Sequence, residues 1–226
     1  FLLSLPIASR HGQLDVLDAM FTATSATCVT GLIVRDTWTQ FSYFGQAVIL
    51  VLIQVGGLGL VTLTSFFALA MRRRMGFRDL RLMGESVSAD GYAQAKEVLK
   101  TVVGLAALFE GIGILLLLFA FVPQFGLEGI WVSVFTAISA FCNAGFDLFG
   151  RFGQYSSLVP YVSNYYVQAV VMFMIIAGGL GFMVWVEIGQ FHKKHRLSLQ
   201  AKVVLSFSVI LWFGGAALIS LMEWNN

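Results

Sequence analysis

The chain has 226 residues, 58% of them hydrophobic and 12% charged, with a formal net charge of +2 and a mean hydropathy of +0.83. Soluble domains carry about 25% charged residues, so this balance excludes an ordinary water-soluble globule and points to an integral membrane protein. A net charge this small says little by itself, and no nucleic-acid partner is expected.

Residues 1–8, FLLSLPIA, are apolar from the first position and lack the basic flank of a signal peptide. They read as the tail of a helix begun upstream, and with the abrupt end SLMEWNN they suggest a fragment of a longer protein. Residues 14–26, LDVLDAMFTATSA, are compatible with a helix about 20 Å long, too short to cross a bilayer and hence re-entrant. Residues 44–71 form a first apolar span, which carries GGLG at 56–59 and ends in the basic RRRMG. A second span covers 98–122 and leads to another short segment, GIWVSVFTAISAF, at 129–141. A third covers 164–191, carries GGLG at 178–181 and ends in HKKHR, and a fourth covers 200–222.

The short segments are copies of one another. FTATSATCVTGL, residues 21–32, and FTAISAFCNAGF, residues 135–146, agree at seven of twelve positions, where about one agreement is expected by chance. Cys28 and Cys142 are equivalent positions of this repeat, and duplication accounts for them more simply than a disulfide. The division that follows is 1–72 for a first repeat, 73–97 for a linker, 98–191 for a second repeat, and 192–226 for a turn and the first helix of a third. The fold class is all-α, built from helix–pore-loop–helix units in one orientation, so the repeats are parallel about an axis along the membrane normal.

Eleven of the fourteen Lys and Arg lie in two stretches, Arg72 to Lys100 and Lys193 to Lys202. The positive-inside rule places the loops 72–100 and 192–202 in the cytoplasm of a multi-pass protein. Non-helical backbone at membrane depth survives where protein buries it or where it lines a watery cavity. The repeated TCVTGL and FCNAGF hold no acid, base or metal-ligating cluster before Asp147; they offer carbonyl oxygens. An extended stretch with a glycine can turn successive carbonyls toward an axis in place of a cation's water, and the C-terminus of the preceding helix also favours positive charge.

These paired motifs, TSATCVTGL and SAFCNAGFDLF with GGLG early in each following helix and basic turns after it, resemble the Trk/Ktr/HKT superfamily of potassium transporters over nearly the whole chain. The resemblance implies four such repeats around one pore, of which this chain holds two and the start of a third. It implies filter strands at Cys28, Val29, Thr30 and Gly31 and at Cys142, Asn143, Ala144 and Gly145, with the first carbonyls of each strand on K⁺ and the glycines permitting the geometry. It further implies potassium preferred over sodium, because Gly31 stands where some sodium-conducting plant relatives have serine. A cytoplasmic nucleotide-binding regulatory subunit, a homodimer and the plasma membrane, the inner membrane of a bacterium, are implied likewise. K⁺ is implied as the transported ion; no cofactor and no enzymatic activity are expected.

Other residues leave alternatives. The GGLG glycines read as packing positions, with Gly56 and Gly178 facing a pore helix, and less well as a hinge or cofactor turn. Glu110 is either an ion-interacting acid or an acceptor for a neighbouring helix, and Glu187 reads as a solvated or snorkelling group. Asp147 could concentrate cations at the mouth, while Arg35 and Asp36 could pair with each other or with Asp147. The Thr30 hydroxyl could face an ion or brace the pore helix. His11, His192 and His195 are too scattered for a metal site, and the basic loops suit either a docked subunit or anionic lipid. Rival readings of the whole are a sodium or mixed potassium and sodium transporter of the same fold, a non-conducting scaffold, and a membrane enzyme; the last lacks a nucleophile or paired carboxylates.

Overall fold

The computed structural model describes residues 1–59, 89–194 and 197–224. The basic residues Arg72 to Arg81, the second half of the first span, and Arg196 lie outside the described residues. The chain divides into two compact units, Phe1–Ile176 and Ala177–Asn226.

The first unit opens in two 3₁₀ turns, Leu2–Ser4 and Pro6–Ala8, where the tail of a longer helix is expected. Pro6 removes a backbone donor and holds Leu5 extended (φ −72°, ψ 143°), which interrupts any helix there. An isolated bridge pairs Ser9 with Phe41, and the Ser42 amide donates to the Ala8 carbonyl at 3.0 Å, so the opening segment is laced to the next helical hairpin.

Helix α1, Val16–Thr27, occupies the expected short segment, and α2, Thr37–Gln40, is N-capped by Asp36, whose carboxylate accepts from the Thr39 amide at 2.8 Å. Helix α3, Tyr43–Gly57, starts under a Ser42 cap. Helix α4, Ala89–Phe125, runs 37 residues and begins inside the stretch 73–97 read as linker. Helix α5, Glu128–Phe141, is the second short segment, packed along α4. Phe121 of α4, Phe149 and Tyr161 stack with ring centroids 5.2–5.6 Å apart and hold the loop after α5 onto the end of α4.

Helix α6, Tyr165–Gly179, crosses from the first unit into the second, which also contains α7, Phe182–Lys194, and α8, Leu199–Met222. Within that unit Glu187 accepts from the Ser198 amide (2.9 Å) and hydroxyl (2.8 Å), while the Ser198 hydroxyl caps α8 at Ala201. The carboxylate at 187 therefore ties α7 to the α8 cap and is not a free snorkelling group.

Among the described residues two helices, Leu99–Phe125 and Leu199–Met222, are long and apolar enough to cross a membrane, and α6 with α7 makes a third if the broken pair is one span. The stretch 164–191 read as a span consists of two helices. Its break falls within GGLG, where Gly181 has φ +84°; α3 ends at the corresponding point, with Gly59 at φ +81°. The left-handed region is open to glycine at little steric cost, so the motif ends a helix in both repeats.

Candidate functional site

Each short helix ends in the same backbone design. Thr27 and Phe141 are the last helical residues, Cys28 and Cys142 the C-caps, at φ −81° and −73°. The next residue turns left-handed in both copies, Val29 at φ 56° and Asn143 at φ 58°. The Val29 amide donates to the Ala26 carbonyl (3.3 Å) and the Thr30 amide to Ser25 (3.0 Å). In the second copy the Asn143 amide donates to Ala140 (3.1 Å) and the Ala144 amide to Ser139 (2.8 Å). This is a Schellman closure with its two nested bonds. Asparagine enters the left-handed region readily, but a β-branched residue there is a genuine outlier. Strain of this kind, of order 1–3 kcal/mol, persists where the surroundings over-determine it and clusters at functional sites.

A second left-handed residue follows two positions on, Gly31 at φ +74° and Gly145 at φ +73°. The amides of residues 28–30 and 142–144 are thus turned back onto the helix ends. Among the described residues no hydrogen bond reaches the carbonyls of Cys28, Val29, Thr30 and Gly31 or those of Cys142, Asn143, Ala144 and Gly145. Both strands combine spent donors with free acceptors, beside helix C-termini whose partial negative charge also suits a cation.

The strands adjoin. A Cβ on Gly31 would lie 2.6 Å from the Ala144 carbonyl oxygen and 3.4 Å from Gly145 Cα, so no side chain fits between them. Behind them, α3 presents its small residues: a Cβ on Gly56 would lie 2.0 Å from the Thr27 carbonyl, and one on Gly57 would lie 2.4 Å from Cys142 Sγ. Gly56 therefore faces the end of α1, the short helix it was expected to face, and its neighbour reaches the cap of α5. Cys28 and Cys142 are both free thiols, the first exposed and the second buried.

Side chains brace this backbone. The Thr30 hydroxyl lies 2.9 Å from Ser25 Oγ and 3.3 Å from the Ser25 carbonyl, which settles its orientation toward the helix. In the second copy Ser139 donates to the Phe146 carbonyl at 2.6 Å, doing from the helix what Thr30 does from the strand. Asn143 Nδ2 reaches the carbonyls of Phe141 and Ile175, each at 3.4 Å. Ser25 and Ser139 are among the seven repeated identities, so the signal for them was present in the repeat although their task was not.

The charged residues beyond the glycines are arranged differently from the expectation. Arg35 pairs with Asp18 at 2.9 Å, and not with Asp36 or Asp147, because the turn after Gly31 carries it back over α1. Asp36 is buried, caps α2, accepts the Tyr155 amide at 3.1 Å and fills the space where Gly150 lacks a side chain. Asp147 accepts the Phe149 amide at 2.9 Å and lines a cavity of about 200 Å³ with Thr136, Ser139, Asn143 and Gly145. Burial raises its carboxyl above the usual range, the Phe149 amide opposes this, and the Asp36 carboxylate adds to it. At the start of α5, Glu128 bonds Arg151 and the Tyr43 hydroxyl, and those two partners hold its carboxyl below the usual range.

Glu110 does not lie on either strand. It is buried in α4 and accepts from Gln54 Nε2 of α3 at 2.8 Å, which is the neighbouring-helix alternative.

The chain is 38% identical over its full length to the potassium/sodium uptake protein NtpJ of Enterococcus hirae, and 36% and 35% identical to the Ktr system potassium uptake protein B of Bacillus subtilis and of Vibrio alginolyticus. It spans about half the length of these relatives, 49% in each case. All three are named as uptake proteins, not as enzymes. A family model described as TrkH, cation transport protein, matches residues 2–223. The chain belongs to the TrkH family of cation transport proteins.

Proposed function

We propose that this chain supplies two strands of the selectivity filter of a potassium uptake pore, residues 28–31 and 142–145. K⁺ passes down its electrochemical gradient, its water replaced by backbone carbonyls of Cys28, Val29 and Thr30 and of Cys142, Asn143 and Ala144. Gly31 and Gly145 permit the left-handed turn that completes each strand. The observation that carries this reading is the duplicated dihedral pattern, with amides consumed by the preceding helix and carbonyls left without donors among the described residues.

The remaining strands come from outside these residues, and the loops 72–100 and 192–202 face the cytoplasm of a multi-pass plasma membrane protein, the inner membrane in a bacterium. A homodimer with one pore per subunit, and a nucleotide-binding subunit docked on the basic loops, complete the proposed assembly. Asp147, which lines the cavity beside Asn143 and Gly145, favours cation entry.

The test is rubidium tracer uptake into liposomes holding the product of the complete reading frame that encodes this chain, competed by K⁺ and by Na⁺. Competition by K⁺ far better than by Na⁺, lost in Gly31→Ser and Gly145→Ser proteins that still reach the bilayer, is the expected result. Equal competition by both ions in the parent would favour the mixed potassium and sodium reading, which the name of the Enterococcus relative brings forward. No uptake at all, with protein verified in the bilayer, would favour a non-conducting scaffold.

A further inference from the structure

Glu110 is 8% exposed, set in the apolar length of α4, and the filter reading gives it no task. An acid at such a position is costly and by default serves a function. Its one bond among the described residues is from Gln54 Nε2 of α3, while Gln54 Oε1 is buried with no partner among them.

The pair lies behind the junction of α5 with the second strand. Gln54 and Gly57 are three residues apart and share a face of α3, and Gly57 abuts Cys142, where a Cβ would lie 2.4 Å from Sγ. On α4, the residue before Glu110 does the matching work: Phe109 stacks on Phe141, centroids 5.9 Å apart and planes 17° from parallel. Adjacent residues of α4 thus grip Phe141 directly and Cys142 through α3.

We infer that Glu110 and Gln54 form a hydrogen-bonded strut that positions the second filter strand and so sets ion preference, acting through the bond and not as a cation ligand. This rests on the reading of residues 142–145 as a filter strand. Glu110 is a positioning residue: it touches an amide of α3 and no filter carbonyl.

The experiment is tracer uptake by the complete transporter with K⁺ and Na⁺ as competitors, run beside Gly31→Ala as a filter control. Glu110→Gln keeps an acceptor for Gln54 Nε2 and adds a donor for Gln54 Oε1, so it is expected to hold the parental K⁺ over Na⁺ preference. Glu110→Ala and Gln54→Leu each strand a buried group and are expected to lower that preference roughly tenfold. The double variant is expected to be no worse than either single one, because the two residues share one interaction. If Glu110→Ala fails to accumulate, Gln54→Leu and Glu110→Gln still make the comparison. Loss of uptake in Glu110→Gln would overturn the strut in favour of a charged ion ligand. Parental preference in Glu110→Ala and Gln54→Leu, with Gly31→Ala impaired, would overturn the strut while leaving the filter standing. Parental preference in Gly31→Ala as well would remove the filter reading, and the strut with it.

Discussion

Gly31 and Gly145 are equivalent in the repeat, and their surroundings predict unequal consequences for the same substitution. Both have φ near +74°, so alanine at either meets a left-handed penalty of roughly 1–2 kcal/mol. At Gly145 the added Cβ has its nearest neighbour at 3.5 Å, an ordinary contact, and the backbone penalty is the whole cost. At Gly31 the Cβ would stand 2.6 Å from the Ala144 carbonyl oxygen. That oxygen belongs to backbone and to the proposed ion path, so the second strand must move as well. If the backbone penalty falls entirely on the ion-bound geometry, Gly145→Ala loses K⁺ preference by about tenfold, since about 1.4 kcal/mol corresponds to a factor of ten. Gly31→Ala then loses more. Tracer uptake competed by graded K⁺ and Na⁺ measures both in the complete transporter. Equal effects, or a larger effect at Gly145, would refute the argument from the close approach of the strands.

Other consequences are as concrete. Val29→Asn places at 29 the residue that already occupies the left-handed position at 143, so it is expected to keep uptake and to match or exceed parental thermal stability; a loss of both would contradict the strain assignment. Thr30→Val removes the hydroxyl that meets Ser25 at 2.9 Å and is expected to cost about 1 kcal/mol of stability with a fall in K⁺ preference, checked by thermal melts and competition uptake. Asp147→Asn keeps an oxygen for the Phe149 amide and removes the charge. Because the folded state raises the Asp147 carboxyl, its contribution to stability is full below the unfolded aspartate value and is lost as pH rises through the folded one. The variant is therefore expected to melt higher than the parent at neutral pH, with the difference closing in acid, while uptake at low K⁺ falls. Glu128→Gln is expected to behave in the opposite sense: the parent's advantage is present at neutral pH and lost as pH falls through the lowered carboxyl value.

The duplicated segment was legible because identity at spaced positions survives whatever the environment does to periodicity. It located α1, α5 and the segments 28–31 and 142–145 that follow them, and the apolar runs located α4 and α8. What sequence did not disclose were features decided by tertiary contact. The GGLG motif promised close packing, and Gly56 and Gly57 provide it, but the helix breaks at Gly59 and Gly181 depend on a backbone choice that glycine permits without requiring. Arg35 stands beside Asp36 in sequence and pairs with Asp18, because Asp36 is already committed to a cap and to the Tyr155 amide from the other repeat. The partner of Glu110 lies 56 residues away on another helix, a separation for which the chain carries no local signal. Proline at position 6 was visible, and its effect on the opening segment follows from its missing amide.

The most direct test of the central claim is an anomalous-scattering map of the complete transporter crystallised with rubidium in place of potassium. The account predicts rubidium peaks facing the carbonyls of Cys28 to Thr30 and of Cys142 to Ala144. Peaks confined to carboxylates such as Glu110 or Asp147, with none at those carbonyls, would contradict it.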